Sequence, residues 1–128
     1  MTTRVLLTMS AVFLAILGVG ATFLPQEILA YLGAPQQDVL PVLVQLLGAH
    51  SLAFALLNWM AKNSLIGGVY NRPVAMGNLG HFGIGTIVLL KGAVGGDMPG
   101  SIWIVCGGHA LFAGWFGTIT FFGSPVKG

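Results

Sequence analysis

Charged side chains are scarce in this sequence. Five lysine and arginine residues and three aspartate and glutamate residues make up 6% of its 128 residues, whereas about a quarter of a soluble domain is charged. Water would solvate such a surface poorly, while lipid tolerates it. Since 55% of the residues are hydrophobic, the composition predicts a single integral membrane domain, residues 1–128.

Other absences exclude several classes of protein. The single cysteine, Cys106, excludes an internal disulfide. The net charge of +2 is a small excess and not a basic patch, so nucleic acid is not expected as a partner. No lysine, arginine or carboxylate lies inside an apolar stretch, although ion-coupled and proton-coupled carriers generally need one there. Walker and dinucleotide-binding glycine patterns are absent too.

Four apolar stretches are long enough to cross a hydrocarbon core of about 30 Å. They cover approximately residues 5–24, 39–60, 73–90 and 101–122. After the first of them, PQEILAYLG begins with Pro25, carries Glu27 in its first turn and stops at Gly33, which is typical of a short helix. The predicted fold is an all-α bundle of four transmembrane helices. Its short extra helix is expected to be interfacial, with a structured loop as the alternative.

The basic residues predict the topology of these spans. Four of the five, Arg4, Lys62, Arg72 and Lys127, fall on one side, and Lys91 alone falls on the other. By the positive-inside rule both termini are expected to be cytoplasmic. The short links favour an up-down-up-down bundle.

Small residues mark the faces on which these helices could pack, because helices in lipid associate through close contact and interhelical hydrogen bonds. The first span carries them on one stripe, and the third and fourth spans carry them at short spacings. We expect these faces to meet inside the bundle or between copies. The residues are Ala11, Ala15 and Thr22; Gly77, Gly80, Gly83 and Gly85; and Gly107, Ala110, Gly114 and Gly117.

Three of the four long spans carry one histidine each. His50 and His81 lie near the middle of their spans, and His109 lies somewhat toward the outer side. At about 1.5 Å rise per residue, all three fall within roughly one helical turn in depth. Because polar groups near the midplane are costly, they should face protein, a cavity or a ligand. One prediction is therefore a metal site formed by His50, His81 and His109.

A second prediction is an organic cofactor. A flat tetrapyrrole such as haem needs small residues one turn from its axial histidine, and Gly77 and Gly85 flank His81 in this way. With Asn78 and His109, these residues form the predicted cofactor-binding set. A quinone or lipid-like ligand would suit the same histidines.

The favoured interpretation of the histidines is structural hydrogen bonding across helices. Gln45, Asn78 and Thr86 are available as partners. Cys106 and His109, one turn apart, form the only pair that suggests a reactive centre.

The stretch FLPQEILAYLGAP, followed by QLLGAH, resembles the DoxX-like group of small bacterial membrane proteins. The shared layout is a first span, a short proline-started segment ending in glycine, and a second span with a central glycine. This resemblance covers the first half of the chain. It implies a small four-helix membrane protein, sometimes an accessory to an oxidoreductase.

The sequence thus predicts a small non-enzymatic membrane protein, either an accessory subunit of a larger membrane complex or a self-associating bundle. The first alternative is a bundle that binds haem, a chlorophyll-type pigment or a quinone at its midspan histidines. The second alternative is a small redox or lipid-modifying enzyme that uses Cys106 and His109.

Overall fold

A computed structural model describes residues 3–35, 37–64 and 71–123, and every regular element in these ranges is a helix. Four of the five helices are long and apolar enough to cross a membrane. The predicted all-helical class, with four long apolar helices and one short helix after the first, is confirmed. The helices are α1 (Thr3–Phe23), α2 (Pro25–Tyr31), α3 (Val39–Ala61), α4 (Arg72–Gly95) and α5 (Ile102–Phe122). Lys127, used for the predicted topology, lies outside the described residues.

The short helix α2 begins and ends where its sequence indicates. Pro25 occupies its first turn, where a missing N–H costs nothing. At the other end, Gly33 has a φ of +69°, which glycine adopts without strain. The N–H groups of Gly33 and Ala34 donate to the carbonyls of Ala30 and Leu29, at 3.1 and 3.0 Å. These two bonds form a Schellman motif, which satisfies the last carbonyls of the helix.

Helix α4 continues beyond the predicted end of its span at residue 90. It passes Lys91 and runs to Gly95, and Gly96 follows with a φ of +78°. The length of the apolar run predicts where the membrane-spanning part of the helix ends. The helix itself continues until its backbone adopts a left-handed conformation. Lys91 therefore lies within the helix, and its side chain is exposed.

The chain folds as two compact units. One is Thr8–Met60, with most of α1, all of α2 and nearly all of α3. The other contains α4 and α5 together with the first residues of α1, through Leu7. The single-domain organisation stays a prediction.

Within Thr8–Met60, two glycines bring the backbones of α1 and α3 into contact. A Cβ added to Gly48 would lie 2.7 Å from the backbone nitrogen of Thr22 and 2.9 Å from the carbonyl oxygen of Gly18. A Cβ added to Gly18 would lie 2.9 Å from the backbone nitrogen of Leu52. Close approach of this kind is how helices associate without a hydrophobic driving force. Neither glycine was in the predicted set of packing residues.

Two hydrogen bonds join the same helices. The Asn58 Nδ2 group donates to Ser10 Oγ at 3.0 Å, with both residues fully buried. Gln45 Nε2 donates to the carbonyl oxygen of Thr22 at 3.2 Å. Since the start of α1 is bonded to the end of α3, and the end of α1 to the first half of α3, the two helices are antiparallel.

Candidate functional site

Helices α4 and α5 are joined by an aromatic cluster, which we define as His81 and Phe82 from α4 with His109, Phe112 and Phe116 from α5. Phe82 lies at its centre, with no exposed surface. Its ring is 5.1 Å from the ring of Phe112 and 5.8 Å from that of Phe116, on which it stacks. The edge-on contact with His109 is at 5.4 Å. Such ring pairs add to the stabilisation that burial provides.

The aromatic cluster brings two of the predicted site residues together. The rings of His81 and His109 have their centroids 5.8 Å apart, at an interplanar angle of 38°. His109 is buried, and its Nδ1 atom lies 2.9 Å from the carbonyl oxygen of Val105. A carbonyl only accepts, so the proton of a neutral His109 ring lies on Nδ1. Nε2 then carries a lone pair, which is the form that ligates a metal or accepts a hydrogen bond.

Gly85 provides the space into which His109 fits. A Cβ added there would lie 2.8 Å from His109 Cδ2 and 3.4 Å from His109 Nε2. The ring of His109 therefore occupies the surface over Gly85 on which a macrocycle bound to His81 was predicted to rest. Gly77, the other small residue of that prediction, is exposed.

Polar groups around the cluster donate to main-chain carbonyls. Asn78 is fully buried, and its Nδ2 group donates to Val74 at 2.9 Å. The Thr86 hydroxyl donates to the carbonyl of Phe82 at 2.6 Å. The thiol of Cys106, on α5, lies 3.9 Å from the carbonyl oxygen of Thr86, on α4. Cys106 is thus buried in a helix contact.

His50 lies within α3, in the other compact unit, and its side chain is exposed. Its Nδ1 atom lies 2.7 Å from the carbonyl oxygen of Leu46, one turn earlier, so Nδ1–H donates there. In the part of the chain that the structure describes, no three His, Cys, Asp or Glu residues are grouped to hold a metal ion. The metal site at His50, His81 and His109 stays a prediction, without support from these residues.

Sequence reasoning missed the polar contact of Asn58 with Ser10. Asn58 precedes Trp59 near the end of its span, where a polar residue is expected at the membrane interface, yet it is fully buried. The signal that could have found it is Ser10, a second polar residue in the half of α1 that lies beside the end of the antiparallel helix α3. Beside this contact lies an apolar groove of about 400 Å³, lined by Ala11, Val12, Ala15, Leu52, Ala55, Leu56 and Trp59.

No protein-family model, curated protein or solved structure matches this chain. The resemblance to the DoxX-like group stays a prediction.

Proposed function

We propose that this chain is a small non-enzymatic integral membrane protein, acting as an accessory subunit or as a self-associating bundle. The observation that carries this proposal is the apolar surface of the four long helices. Each presents large, strongly exposed hydrophobic side chains: Ile16 is 68% exposed, Leu47 66%, Ile84 66% and Ile104 77%. Apolar surface costs roughly 25 cal/mol per Å² in water. Lipid or a membrane partner would cover it.

The proposed arrangement is a four-helix transmembrane bundle, with α2 at the headgroup boundary and both termini cytoplasmic. An even number of spanning helices returns the chain to its starting side. Arg4, Lys62 and Arg72 then share the cytoplasmic side, and Lys91 lies opposite. Tyr31, exposed at the end of α2, suits the membrane interface. The inner membrane of a bacterium is the location that the DoxX-like layout implies.

A structural role for the α4–α5 histidines is supported by their surroundings. His109 fills the space over Gly85, contacts Phe82 and donates to its own helix. Cys106, its suggested reactive partner, contacts the carbonyl of Thr86 instead. These contacts use the polar groups to hold two helices together, which favours a subunit over an enzyme.

Membrane insertion is tested by alkaline carbonate extraction of native membranes. The protein should stay in the pellet with the lipid, and release into the supernatant would contradict insertion.

Fusions of a reporter that is active only in the cytoplasm, placed after Gly123 and after Gly96, test the topology. We expect activity from the first fusion and none from the second.

The subunit role is tested by co-expressing two differently tagged copies and purifying one tag in mild detergent. Recovery of the second tag, or of another membrane protein in fixed stoichiometry, is the expected result. A chain that purifies alone as a monomer would overturn the proposal.

The alternative function is binding of a hydrophobic ligand or cofactor, such as haem, a chlorophyll-type pigment or a quinone. The observation that favours it is the approach of the His81 and His109 rings to 5.8 Å. Protein purified gently from its native membrane would then show stoichiometric absorbance, lost in His81→Ala and His109→Ala but kept in His50→Ala. A colourless preparation would contradict binding of a pigment or haem, and extraction of bound lipids tests the quinone.

A further inference from the structure

Three basic side chains lie where helices begin or end, and we call them the basic end: Arg4, Lys62 and Arg72. Arg4 lies in the first turn of α1, Lys62 follows the last residue of α3, and Arg72 begins α4. All three belong to the compact unit that contains α4 and α5. Arg4 and Arg72 are exposed, and Lys62 is half-buried. Their charges are therefore available at the surface of one part of the structure.

The antiparallel pairing of α1 with α3 places Arg4 and Lys62 at the same end of these helices. The hydrogen bond between Ser10 and Asn58 joins the first half of α1 to the end of α3. Arg4 lies one to two turns before Ser10, and Lys62 lies about one turn after Asn58. Both basic residues thus lie beyond this bond, on the side where α1 starts and α3 stops.

The end of α3 has the features of a membrane interface. Trp59 is 49% exposed, about one turn before Lys62. After the helix, the N–H group of Ser64 donates to the carbonyl of Ala61 at 2.8 Å, which closes a tight turn around Lys62 and Asn63. Tryptophan in membrane proteins lies at the level of the lipid headgroups. A lysine beside it can lay its stem on apolar surface and extend its ammonium group to the headgroups.

In the proposed topology, the acidic side chains all lie at the opposite end of the spans. They are Glu27, Asp38 and Asp97, and each is exposed. Lys91 is the one basic residue on that side. Because these three are the only acidic residues in the sequence, none accompanies the basic end. The two ends therefore differ in the sign of their charge, and they should attract different headgroups.

We propose that the basic end binds anionic phospholipids in preference to zwitterionic ones. This inference rests on the proposed function, because it requires the helices to cross a membrane. Trp59 favours a lipid over a soluble phosphate as the partner, since it places the basic end at the depth where lipid phosphates lie. Arginine binds phosphate oxygens in pairs. Each lysine or arginine near the surface favours an anionic membrane about fivefold.

Quenching of tryptophan fluorescence by brominated lipids tests the preference. Trp59 reports on the basic end, and Trp103, 51% exposed in the first turn of α5, reports on the opposite end. The double variant Trp103→Phe/Trp115→Phe keeps Trp59, and Trp59→Phe/Trp115→Phe keeps Trp103. Each is reconstituted into vesicles of equal parts phosphatidylcholine and phosphatidylglycerol, with dibrominated acyl chains on one lipid or on the other.

At Trp59, brominated phosphatidylglycerol should quench more strongly than brominated phosphatidylcholine, with a relative binding constant severalfold above one. At Trp103 the anionic lipid should have no advantage. The preference at Trp59 should fall in about 0.5 M sodium chloride, because salt screens exposed charges. Equal quenching by the two lipids at Trp59, or the same preference for the anionic lipid at both tryptophans, would overturn the inference.

Lys62→Gln tests one charge of the basic end and keeps a polar side chain. The preference at Trp59 should fall by up to about fivefold, whereas Lys91→Gln, the matched control at the opposite end, should leave it unchanged. An unchanged preference in Lys62→Gln would also count against the basic end. These outcomes, in a protein that resists carbonate extraction, would contradict this inference alone. Release of the unmodified protein by carbonate would contradict the proposed function.

Discussion

The contact between α1 and α3 and the contact between α4 and α5 use glycine in opposite ways. Gly18 and Gly48 face each other, so main-chain atoms of α1 and α3 touch. Gly85 faces the ring of His109, and the rings around Phe82 fill the space between α4 and α5. A backbone cannot move aside for an added atom without moving a whole helix, whereas a ring can rotate. The two contacts should therefore differ in their tolerance of a single methyl group.

The same two contacts differ in where their polar groups bond. Between α1 and α3, Asn58 reaches across to Ser10. In α4 and α5, the ring of His109 and the hydroxyl of Thr86 bond to carbonyls of their own helices, and the group that reaches across is the thiol of Cys106, at 3.9 Å from the carbonyl oxygen of Thr86. A hydrogen bond between helices fixes their register, while a bond within one helix orients a side chain for packing.

The largest effect is expected for Gly48→Ala. The new Cβ would lie 2.5 Å from Thr22 Oγ1 and 2.7 Å from the Thr22 backbone nitrogen. Because the obstacle includes main chain, we expect the free energy of unfolding to fall by about 3 kcal/mol, the upper end of overpacking costs. Unfolding of the purified protein by dodecyl sulfate in mixed micelles measures this change.

Gly20→Ala is the control, since no atom among the described residues lies within 4 Å of its added Cβ. Alanine favours a helix over glycine by about 0.5–1 kcal/mol. The control should be neutral or slightly stabilising. Equal losses for both variants would contradict the close contact at Gly48.

A smaller effect is expected for Gly85→Ala, because its Cβ would meet a side chain, the ring of His109, at 2.8 Å. We expect a loss of about 1–2 kcal/mol. Gly83→Ala on the same helix, with no atom within 4 Å among the described residues, should cost nothing. In a double-mutant cycle, His109→Ala should remove most of the Gly85→Ala penalty. A penalty that persists in the His109→Ala background would show that another group limits the space.

The helices themselves could be predicted from the sequence, because apolar length and the proline and glycine signals at Pro25 and Gly33 are local properties. Which glycines make contacts could not. Hydropathy does not distinguish a glycine that packs against another helix from one that does not, because lipid would tolerate either face. Gly48 lies against the backbone of α1, whereas no atom of the described residues lies within 4 Å of a Cβ added to Gly83. The prediction that Gly85 lies in a packing face agrees with its contact, but its partner is a single ring on α5.

The candidate site could be predicted only in part. Helical depth placed His81 and His109 at similar levels, and their rings do lie 5.8 Å apart. Depth says nothing about direction around a helix, so the sequence could not show that His50 is exposed whereas His109 is buried. The hydrogen bonds of His50 and His109 to the carbonyl four residues earlier were also not predicted. Every histidine in a helix has such a carbonyl within reach, so the sequence does not show which histidines use it.

A third prediction concerns the Ser10–Asn58 hydrogen bond. A double-mutant cycle of Ser10→Ala and Asn58→Ala should give a coupling energy of about 0.6 kcal/mol, and at most about 1.7 kcal/mol, as found for hydrogen bonds between membrane helices. The measurement is again unfolding in mixed micelles. The matched cycle of Ser51→Ala with Asn58→Ala should give no coupling, because the Ser51 hydroxyl donates to the carbonyl of Leu47 on its own helix, about two turns from Asn58. Zero coupling for Ser10 and Asn58 would mean that water or lipid replaces the bond without cost.

The smallest effect, and the only stabilising one at a contact, is expected for Thr22→Val. Thr22 Oγ1 is buried against Gly48 without a hydrogen-bond partner among the described residues. Valine replaces this hydroxyl with a methyl group of similar size and removes the cost of an unsatisfied polar group, so we expect stabilisation of up to about 1 kcal/mol. Thr118→Val, whose hydroxyl donates to Trp115 at 2.8 Å, is the control and should not stabilise. Destabilisation by Thr22→Val would contradict this prediction. It would mean that the bulk of the methyl group over Gly48 costs more than removal of the unsatisfied hydroxyl gains, and that the α1–α3 contact tolerates added volume even less than its backbone distances indicate.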